Sequence, residues 1–163
     1  MADGGALGGT ERLLTGAVLL HLALTLGHGL VHAAIPVRIA CRTPGGGLWM
    51  LSLWYRYRDG HLECATGANA DVVRYLREDP AVAFEISTNE PPYRGVRGAG
   101  SVTITPDEDK ETLRSLVDRY LGDTNSALAE QLLSPEREEV RLTLDIDRAY
   151  TWDFSSRMQP REE

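Results

Sequence analysis

Apolar and polar residues alternate along most of this chain of 163 residues, from about position 37 onward. A period of two residues is typical of a strand with one buried face. The alternation predicts strands at 37–41, 49–58, 62–66, 82–86, 94–104 and 140–146. Six strands with inserted helices predict a mainly β fold with helices, arranged as a small and partly open barrel.

Three helices are predicted between the strands. The first carries Val72 and Leu76 on its apolar face and ends before Pro80, which disfavours helical geometry in the preceding residue. The string Thr105-Pro106-Asp107-Glu108 has the pattern of a capping box with proline at the first helical position, so a second helix is expected from there to Gly122. A short helix is expected over 126–133.

The N-terminal 34 residues differ from the rest of the chain. No Asp, Glu, Lys or Arg occurs between Arg12 and Arg38. We expect a disordered glycine-rich start over 1–9 and then a helix over about 10–25 that packs on the barrel or on a partner subunit. Residues 13–34 are long enough to cross a bilayer, and membrane contact is the alternative. Glycines, threonines and three histidines dilute the apolar run, however, and no basic cluster flanks it.

Charge and composition exclude several classes of protein. A formal net charge of −7 with a pI near 5.1 gives no positive field for a nucleic acid, so DNA and RNA are not expected partners. Cys41 and Cys64 fall inside apolar strand patterns and are expected to be reduced core cysteines of a cytoplasmic protein. His21, His28 and His32 are expected in a core or interface, and no metal site is predicted.

One stretch interleaves arginine with glycine, in the string Tyr93-Arg94-Gly95-Val96-Arg97-Gly98-Ala99-Gly100. Such a strand leaves room for a flat or phosphorylated ligand against the backbone, and a guanidinium can hold the anionic end of that ligand. Arg94 and Arg97 are three residues apart, so they point to opposite faces of a regular strand. Since Val96 belongs to the core face, Arg97 is favoured for the ligand contact and Arg94 is the second choice.

The order of these elements resembles that of a known family. Two strands joined by Asp59-Gly60, a short helix, a strand after Asp79-Pro80 and the arginine-rich strand together resemble the FMN-binding split-barrel family that includes pyridoxamine 5′-phosphate oxidase. The resemblance covers roughly 35–158 and implies a six-stranded split β-barrel that forms a homodimer, with FMN in a groove at the subunit interface. On this division 1–34 is an atypical N-terminal segment and 159–163 a disordered tail.

The resemblance also implies which residues contact the cofactor. Carried over by position, they are Leu51, Ser52, Leu53, Trp54, Tyr55, Thr66, Asn69, Arg94, Arg97 and Trp152. Thr66 and Asn69 would hydrogen-bond phosphate near a helix N-terminus, and simple helix capping is their alternative role. For Trp54 and Trp152, and for Trp49 outside this set, the alternative is an aromatic side chain of the core or of the dimer interface.

Two departures from the family change the expected chemistry. Pyridoxamine 5′-phosphate oxidases carry a Ser-Arg-Lys run where this chain has Ala70-Asp71-Val72, and an arginine and a lysine where this chain has Met50 and Tyr55. Oxidation of a B6 vitamer is therefore not expected. The arginines that would replace the missing phosphate charge are Arg38, Arg42, Arg56 or Arg58, and the sequence leaves the choice among them open.

The chain carries no strong catalytic constellation, so its catalytic residues stay unknown. Its single lysine, Lys110, lies in an acidic segment and does not suit Schiff-base chemistry. A bound cofactor is therefore expected to carry any reaction. The favoured function is an FMN-dependent oxidoreductase acting on a small organic substrate. The alternatives are a deazaflavin-dependent reductase and a flavin- or haem-binding protein without turnover.

Overall fold

The computed structural model describes residues 12–14, 33–122 and 126–158. Its strands are β1 (Arg12–Leu14), β2 (Val37–Arg42), β3 (Leu48–Leu53), β4 (Tyr55–Arg58), β5 (His61–Gly67), β6 (Ala81–Ser87), β7 (Arg94–Pro106) and β8 (Glu139–Asp153). Its helices are α1 (Asp71–Glu78), α2 (Glu111–Leu121) and α3 (Ala127–Leu132), with short 3-10 turns at Glu108–Lys110 and Ser155–Arg157.

The strands form one antiparallel sheet in the order β3-β2-β6-β7-β8-β5-β4, and β1 pairs with β8 beside it. β3 and β4 lie at opposite ends of this order, although only Trp54 separates them along the chain. The sheet therefore curls and brings the end of β3 next to the start of β4 at Trp54. These two strands do not pair, so the sheet forms a half-barrel that is open on this side. The mainly β fold is confirmed. Among the described residues the sheet has eight strands rather than the predicted six, because the bend at Trp54 divides the predicted strand 49–58 into β3 and β4 and because Arg12–Leu14 add β1.

The inner face of the curled sheet carries the main core. Ile39, Phe84 and Ala149 are buried in one row across β2, β6 and β8. Three buried aliphatic side chains of α1 pack against this core. Cys41 and Cys64 are buried free thiols within it, as predicted. Burial raises the pKa of the Cys64 thiol to about 12, so this cysteine is neutral at physiological pH.

Helix α2 covers the outer face of β4 and β5. Trp54 stacks on Tyr120 of this helix with 5.1 Å between ring centroids and 8° between ring planes. At the other end of α2, Arg56 Nε lies 2.7 Å from Glu63 Oε2 and its Nη2 lies 2.8 Å from Glu111 Oε2. The stacking of Trp54 on Tyr120 and the ion pair between Arg56 and Glu111 hold α2 in place over β4 and β5.

The start of α2 lies later than the predicted capping box. β7 continues to Pro106, and the helix begins only at Glu111. The buried carboxylate of Asp107 accepts hydrogen bonds from the backbone N–H groups of Thr112 (3.0 Å) and Leu113 (2.9 Å). Asp107 therefore pairs two backbone N–H groups in the first turn of α2, although it lies four residues before the helix starts.

Other local predictions are confirmed. Asp59 and Gly60 both have positive φ, 51° and 91°, which is the geometry of a tight primed hairpin turn. Gly122 ends α2 in the left-handed region with φ of 78°. The two other helices, α1 and α3, lie where the apolar pattern placed them.

The predicted helix over 10–25 is wrong at the residues that the structure describes there. Arg12–Leu14 form β1, which pairs with β8 at Ala149 to Thr151. β5 covers the same edge of β8 only as far as Leu144, so β1 pairs backbone groups that this edge would otherwise leave open. The rest of that prediction, the three N-terminal histidines and both predicted disordered termini lie outside the described residues. Among the described helices, none has the length and apolar character to cross a bilayer.

Candidate functional site

A row of side chains crosses the outer face of the sheet. The strand register places them opposite one another on β3, β2, β6, β7 and β8, in the order Ser52, Arg38, Glu85, Arg97 and Tyr150. The next residues along these strands, such as Ile39 and Phe84, are buried in the core. Because side chains alternate along a strand, the row points outward. Arg97 therefore has the orientation that the sequence predicted.

The neighbouring outward row is made of small residues at its centre. It consists of Met50, Ala40, Ala83, Ala99 and Arg148 on the same five strands. The three alanines lie on the adjacent strands β2, β6 and β7 and form a patch of small side chains about 14 Å wide, which we call the alanine floor. Arg38, Arg97 and Arg148 border it, and Arg42 lies two residues beyond Ala40 on the same face of β2. In the described ranges the helices lie elsewhere, since α1 packs on the core and α2 covers β4 and β5.

Arg38 is held at the edge of this floor by polar side chains. Its Nη1 donates to Ser87 Oγ at 3.0 Å and its Nη2 donates to Asn89 Oδ1 at 2.8 Å. The Ser87 hydroxyl donates to Glu85 Oε1 at 2.9 Å, and Arg38 Nη1 lies 3.7 Å from the same oxygen. With 34% of its side chain exposed, Arg38 is fixed in position and still open to solvent.

The glycines of β7 accommodate groups of this chain rather than a ligand. A Cβ atom at Gly95 would lie 2.8 Å from the Trp152 ring, and one at Gly98 would lie 2.7 Å from the Phe84 ring. At Gly100 a backbone carbonyl of β8 approaches closely, next to a bulge in the register of β7 and β8. The prediction that these glycines leave room for a ligand was therefore wrong. On the outer face, the space that a ligand could occupy lies over the alanine floor instead.

Three of the ten predicted site residues lie on this face. Ser52 and Arg97 belong to the first row, and Trp152 is the cross-strand neighbour of Gly95, two residues before Arg97. The Trp152 ring centroid lies 5.1 Å from that of Phe154. Its Nε1–H is buried and has no hydrogen-bond partner among the described residues. Such a donor is costly to leave unpaired, so an acceptor placed here would be stabilising.

The rest of the segment from Leu51 to Tyr55 points away from the floor. Leu51 and Leu53 pack against the main core, and Trp54 lies under α2. Tyr55 is completely buried, and burial raises the pKa of its phenol. Ser52 is therefore the one side chain of this segment that lies in the outward row with Arg38 and Arg97.

Thr66 and Asn69 lie at the far end of the barrel. Thr66 of β5 and Pro106 of β7 both pair with Val140 of β8, so they lie at the same height in the sheet. Pro106 follows Arg97 by nine positions along β7. At about 3.3 Å per residue the separation is about 30 Å along the strand. The residue that precedes the first turn of α1 is Ala70, whose methyl group cannot accept a hydrogen bond. Within one protomer, Thr66 and Asn69 cannot contact the same small ligand as Arg97.

Arg94 lies at the start of β7, opposite Asp153. Hydrogen bonds from Ser155 lower the pKa of the Asp153 carboxyl, and the charge of Arg94 adds to the effect. Arg94 and Arg97 point to opposite faces, because the bulge beside Gly100 lies in β8 and leaves the alternation of β7 unbroken. Arg94 therefore lies beyond the end of the barrel and not beside the alanine floor.

Of the four arginines considered for phosphate charge, only Arg38 borders both the first row and the alanine floor. Arg42 lies four residues further along β2 and is 68% exposed, with its Nε 3.8 Å from Asp79. Arg56 and Arg58 both pair with Glu111 at the base of α2. Sequence analysis identified Arg38 only as one of four, since the partners of β2 in the sheet were not known.

A cavity of about 690 Å³ lies at the far end of the barrel from Arg97. Its charged lining residues are Arg77, Asp107, Glu108, Asp109, Lys110, Arg114, Arg137, Glu138 and Glu139. The Lys110 ammonium donates a hydrogen bond to the carbonyl oxygen of Ser134. Because four positive and five negative side chains share this cavity, it has no preference for an anionic ligand. In the described ranges, His, Cys, Asp and Glu form no group of three suited to a metal ion.

Comparison with known proteins gives similarity in structure but not in sequence. No family model and no curated protein matches the chain. An F420 reductase superposes with a TM-score of 0.63 and 21% identity, over 75% of this chain and 94% of its own. A FAD-binding protein from Mesorhizobium loti gives 0.58 and 17%, over 88% and 98%. The haem storage protein HutZ from Vibrio cholerae gives 0.59 and 10%, over 77% and 91%. The chain thus shares its fold, a curled antiparallel sheet consistent with a split barrel, with these proteins.

Proposed function

We propose that the protein binds a flavin-type cofactor on the outer face of its sheet. The observation that carries this proposal is the alanine floor, a patch of small apolar side chains bordered by Arg38, Arg97 and Arg148. Small side chains let a planar ring approach the strands closely, and guanidinium groups hold phosphate or ring oxygens by charge-assisted hydrogen bonds. The N–H of Trp152, unpaired among the described residues, lies on the same face, two outward positions along β7 from Ala99 and on the far side of Arg97.

FMN is the favoured cofactor and an FMN-dependent oxidoreductase the favoured function. The cofactor would supply the redox chemistry, and the protein would bind it, orient it and limit access to it. A small organic substrate would then bind over the exposed side of the ring.

A deazaflavin-dependent reductase is the second candidate. The fold shared with an F420 reductase favours it. A haem- or flavin-binding protein without turnover is the third, through the fold shared with a haem storage protein.

We further propose that two copies of the chain complete the site. Within the part of the chain that the structure describes, no helix covers the alanine floor, whereas cofactor sites bury most of their ligand. Beside it on β3, Leu48 is 85% exposed and Met50 is 64% exposed, which is apolar surface of the kind that interfaces cover. Thr66 and Asn69 lie about 30 Å from Arg97 along the sheet, so they would reach its ligand only from the partner protomer.

The absorption spectrum of the freshly purified protein tests the cofactor directly. Visible flavin bands support the favoured function, a single near-ultraviolet band supports the deazaflavin, and a Soret band supports haem. Reduction of the bound flavin by NADH or NADPH, followed by turnover of a substrate, separates an enzyme from a binding protein. A protein that is colourless as purified and binds none of these cofactors on addition would refute the proposal.

A further inference from the structure

We propose that Arg38 anchors the anionic group of the ligand on the outer face, with Ser52 as a second donor. Ser87 and Asn89 are positioning residues that act through Arg38. In this role Arg38 makes the protein prefer anionic over neutral ligands. The inference rests on the proposed function, because it concerns the same face of the sheet.

The first argument is that the Arg38 guanidinium is already immobilised. Hydrogen bonds to Ser87 Oγ and Asn89 Oδ1 tie one N–H on each terminal nitrogen. An arginine that is fixed before binding loses little side-chain entropy when the ligand arrives. Arg42, on the same face of the same strand, is 68% exposed against 34% for Arg38, and its one ion pair is long, at 3.8 Å.

The second argument is that Arg38 keeps unused donors. A guanidinium has five N–H groups, and the contacts to Ser87 and Asn89 use two of them. The nearby carboxylate of Glu85 lies 3.7 Å from Nη1, beyond hydrogen-bond distance, and accepts a hydrogen bond from the Ser87 hydroxyl instead. Among the described residues no further acceptor lies within hydrogen-bond distance of Arg38, so three N–H groups remain for a phosphate or carboxylate.

The third argument is position. The strand register places Ser52 directly opposite Arg38, and its exposed hydroxyl is a second donor for the same anion. Along β2, Ala40 of the alanine floor follows Arg38 by two residues on the same face. Arg97 lies two strands away, about 10 Å from Arg38, which is about the length of a three-ring system. An anion at Arg38 therefore leaves the ring over the floor, with Arg97 near its other end.

Two ligands with the same ring and different charge test the proposal. FMN carries a phosphate, and riboflavin is neutral. The wild-type protein should bind FMN about ten to a hundred times more tightly than riboflavin, as expected for charge-assisted hydrogen bonds. In Arg38→Ala the dissociation constant for FMN should rise to that for riboflavin, and riboflavin binding should be unchanged, which also shows that the variant is folded.

Three further variants separate anchoring from folding. Arg42→Ala removes an arginine from the same strand and face and should leave both dissociation constants unchanged. Arg38→Lys keeps the charge but loses the planar fork, so its preference for FMN should be intermediate. Asn89→Ala should lower the preference for FMN several-fold without affecting riboflavin, because it acts only through the position of Arg38.

The outcomes are distinguishable. If Arg38→Ala keeps the wild-type preference for FMN, the anchor lies elsewhere and this inference is overturned while the proposed function stands. The same holds if Arg38→Ala weakens both flavins equally, since Arg38 would then only shape the face. If the wild-type protein binds neither flavin, the proposed flavin function fails and the anchor fails with it.

Discussion

Replacing Ala83 with tryptophan should remove most flavin binding and leave the protein folded. Ala83 is the central residue of the alanine floor, with Ala40 opposite it on one side and Ala99 on the other. It is exposed and points away from the core, so an indole at this position extends into open space. Surface substitutions of this kind change the free energy of unfolding by under about 0.5 kcal/mol, and tryptophan is well tolerated in strands.

The expected loss follows from the area of the floor. Three strands about 4.8 Å apart give a width of about 14 Å, and one pleat repeat gives a length of about 7 Å, so a planar ring covers about 100 Å². At about 25 cal/mol per Å² of apolar area removed from water, this contact contributes about 2.5 kcal/mol to binding. An indole over the floor lifts the ring away, and the dissociation constant for FMN should rise about 70-fold.

Fluorescence titration with FMN measures this change, and Thr103→Trp is the matched control. Thr103 is exposed on the same outer face of β7 but lies four residues beyond Ala99 of the floor. The control should bind FMN as the wild type does. If Ala83→Trp also binds FMN within about threefold of the wild type while its circular dichroism is unchanged, the ring does not lie on the alanine floor.

Three further predictions concern affinity, packing and pH. Arg97→Ala should weaken FMN binding about tenfold to a hundredfold in a calorimetric titration, and Arg94→Ala should change it little. If neither variant changes the affinity for FMN, β7 is not part of the cofactor site. Phe84→Ala should lower the free energy of unfolding in urea by about 3 to 5 kcal/mol, because the ring fills space beside a glycine, and a loss below 1 kcal/mol would contradict that packing. Hydrogen bonds from Arg56 lower the pKa of Glu111, so its stabilising contribution is present at neutral pH and is lost as the pH falls through that lowered pKa. Since Glu111 is 56% exposed, Glu111→Gln should remove less than about 1 kcal/mol of stability at pH 7 and nothing at pH 2, and an equal loss at both values would show that charge is not the cause.

Local structure was largely predictable from the sequence, because it depends on neighbours along the chain. Alternation located the strands and identified their buried faces, as at Cys41 and Cys64. The Asp59-Gly60 turn followed from backbone preferences alone, as did the end of α2 at Gly122. Arg97 also has the orientation that the alternation of β7 gave it, and whether it contacts a ligand stays a prediction.

The errors arose where distant segments decide the structure. The start of α2 depends on the buried carboxylate of Asp107, which caps the helix across an intervening turn. The strand 49–58 bends at Trp54, because that ring packs under α2 rather than continuing the sheet. Near the N-terminus, pairing with β8 makes Arg12–Leu14 a strand, although the apolar pattern there predicts a helix.

The candidate site shows the same limit. Ala40, Ala83 and Ala99 carry no signal in sequence, since each is a small residue in a different strand and only the register brings them together. Arg38 could not be singled out for the same reason. Thr66 and Asn69 matched the family pattern by position, but in one protomer they lie far from Arg97.

Sedimentation velocity monitored at the visible absorption of the flavin tests the central claim most directly. After addition of FMN at micromolar protein concentration, the account predicts that the flavin absorbance sediments with a species of two chains. Flavin absorbance that sediments with a single chain at full occupancy would contradict a site shared between two copies. Flavin absorbance that stays with the free ligand would contradict the flavin site itself.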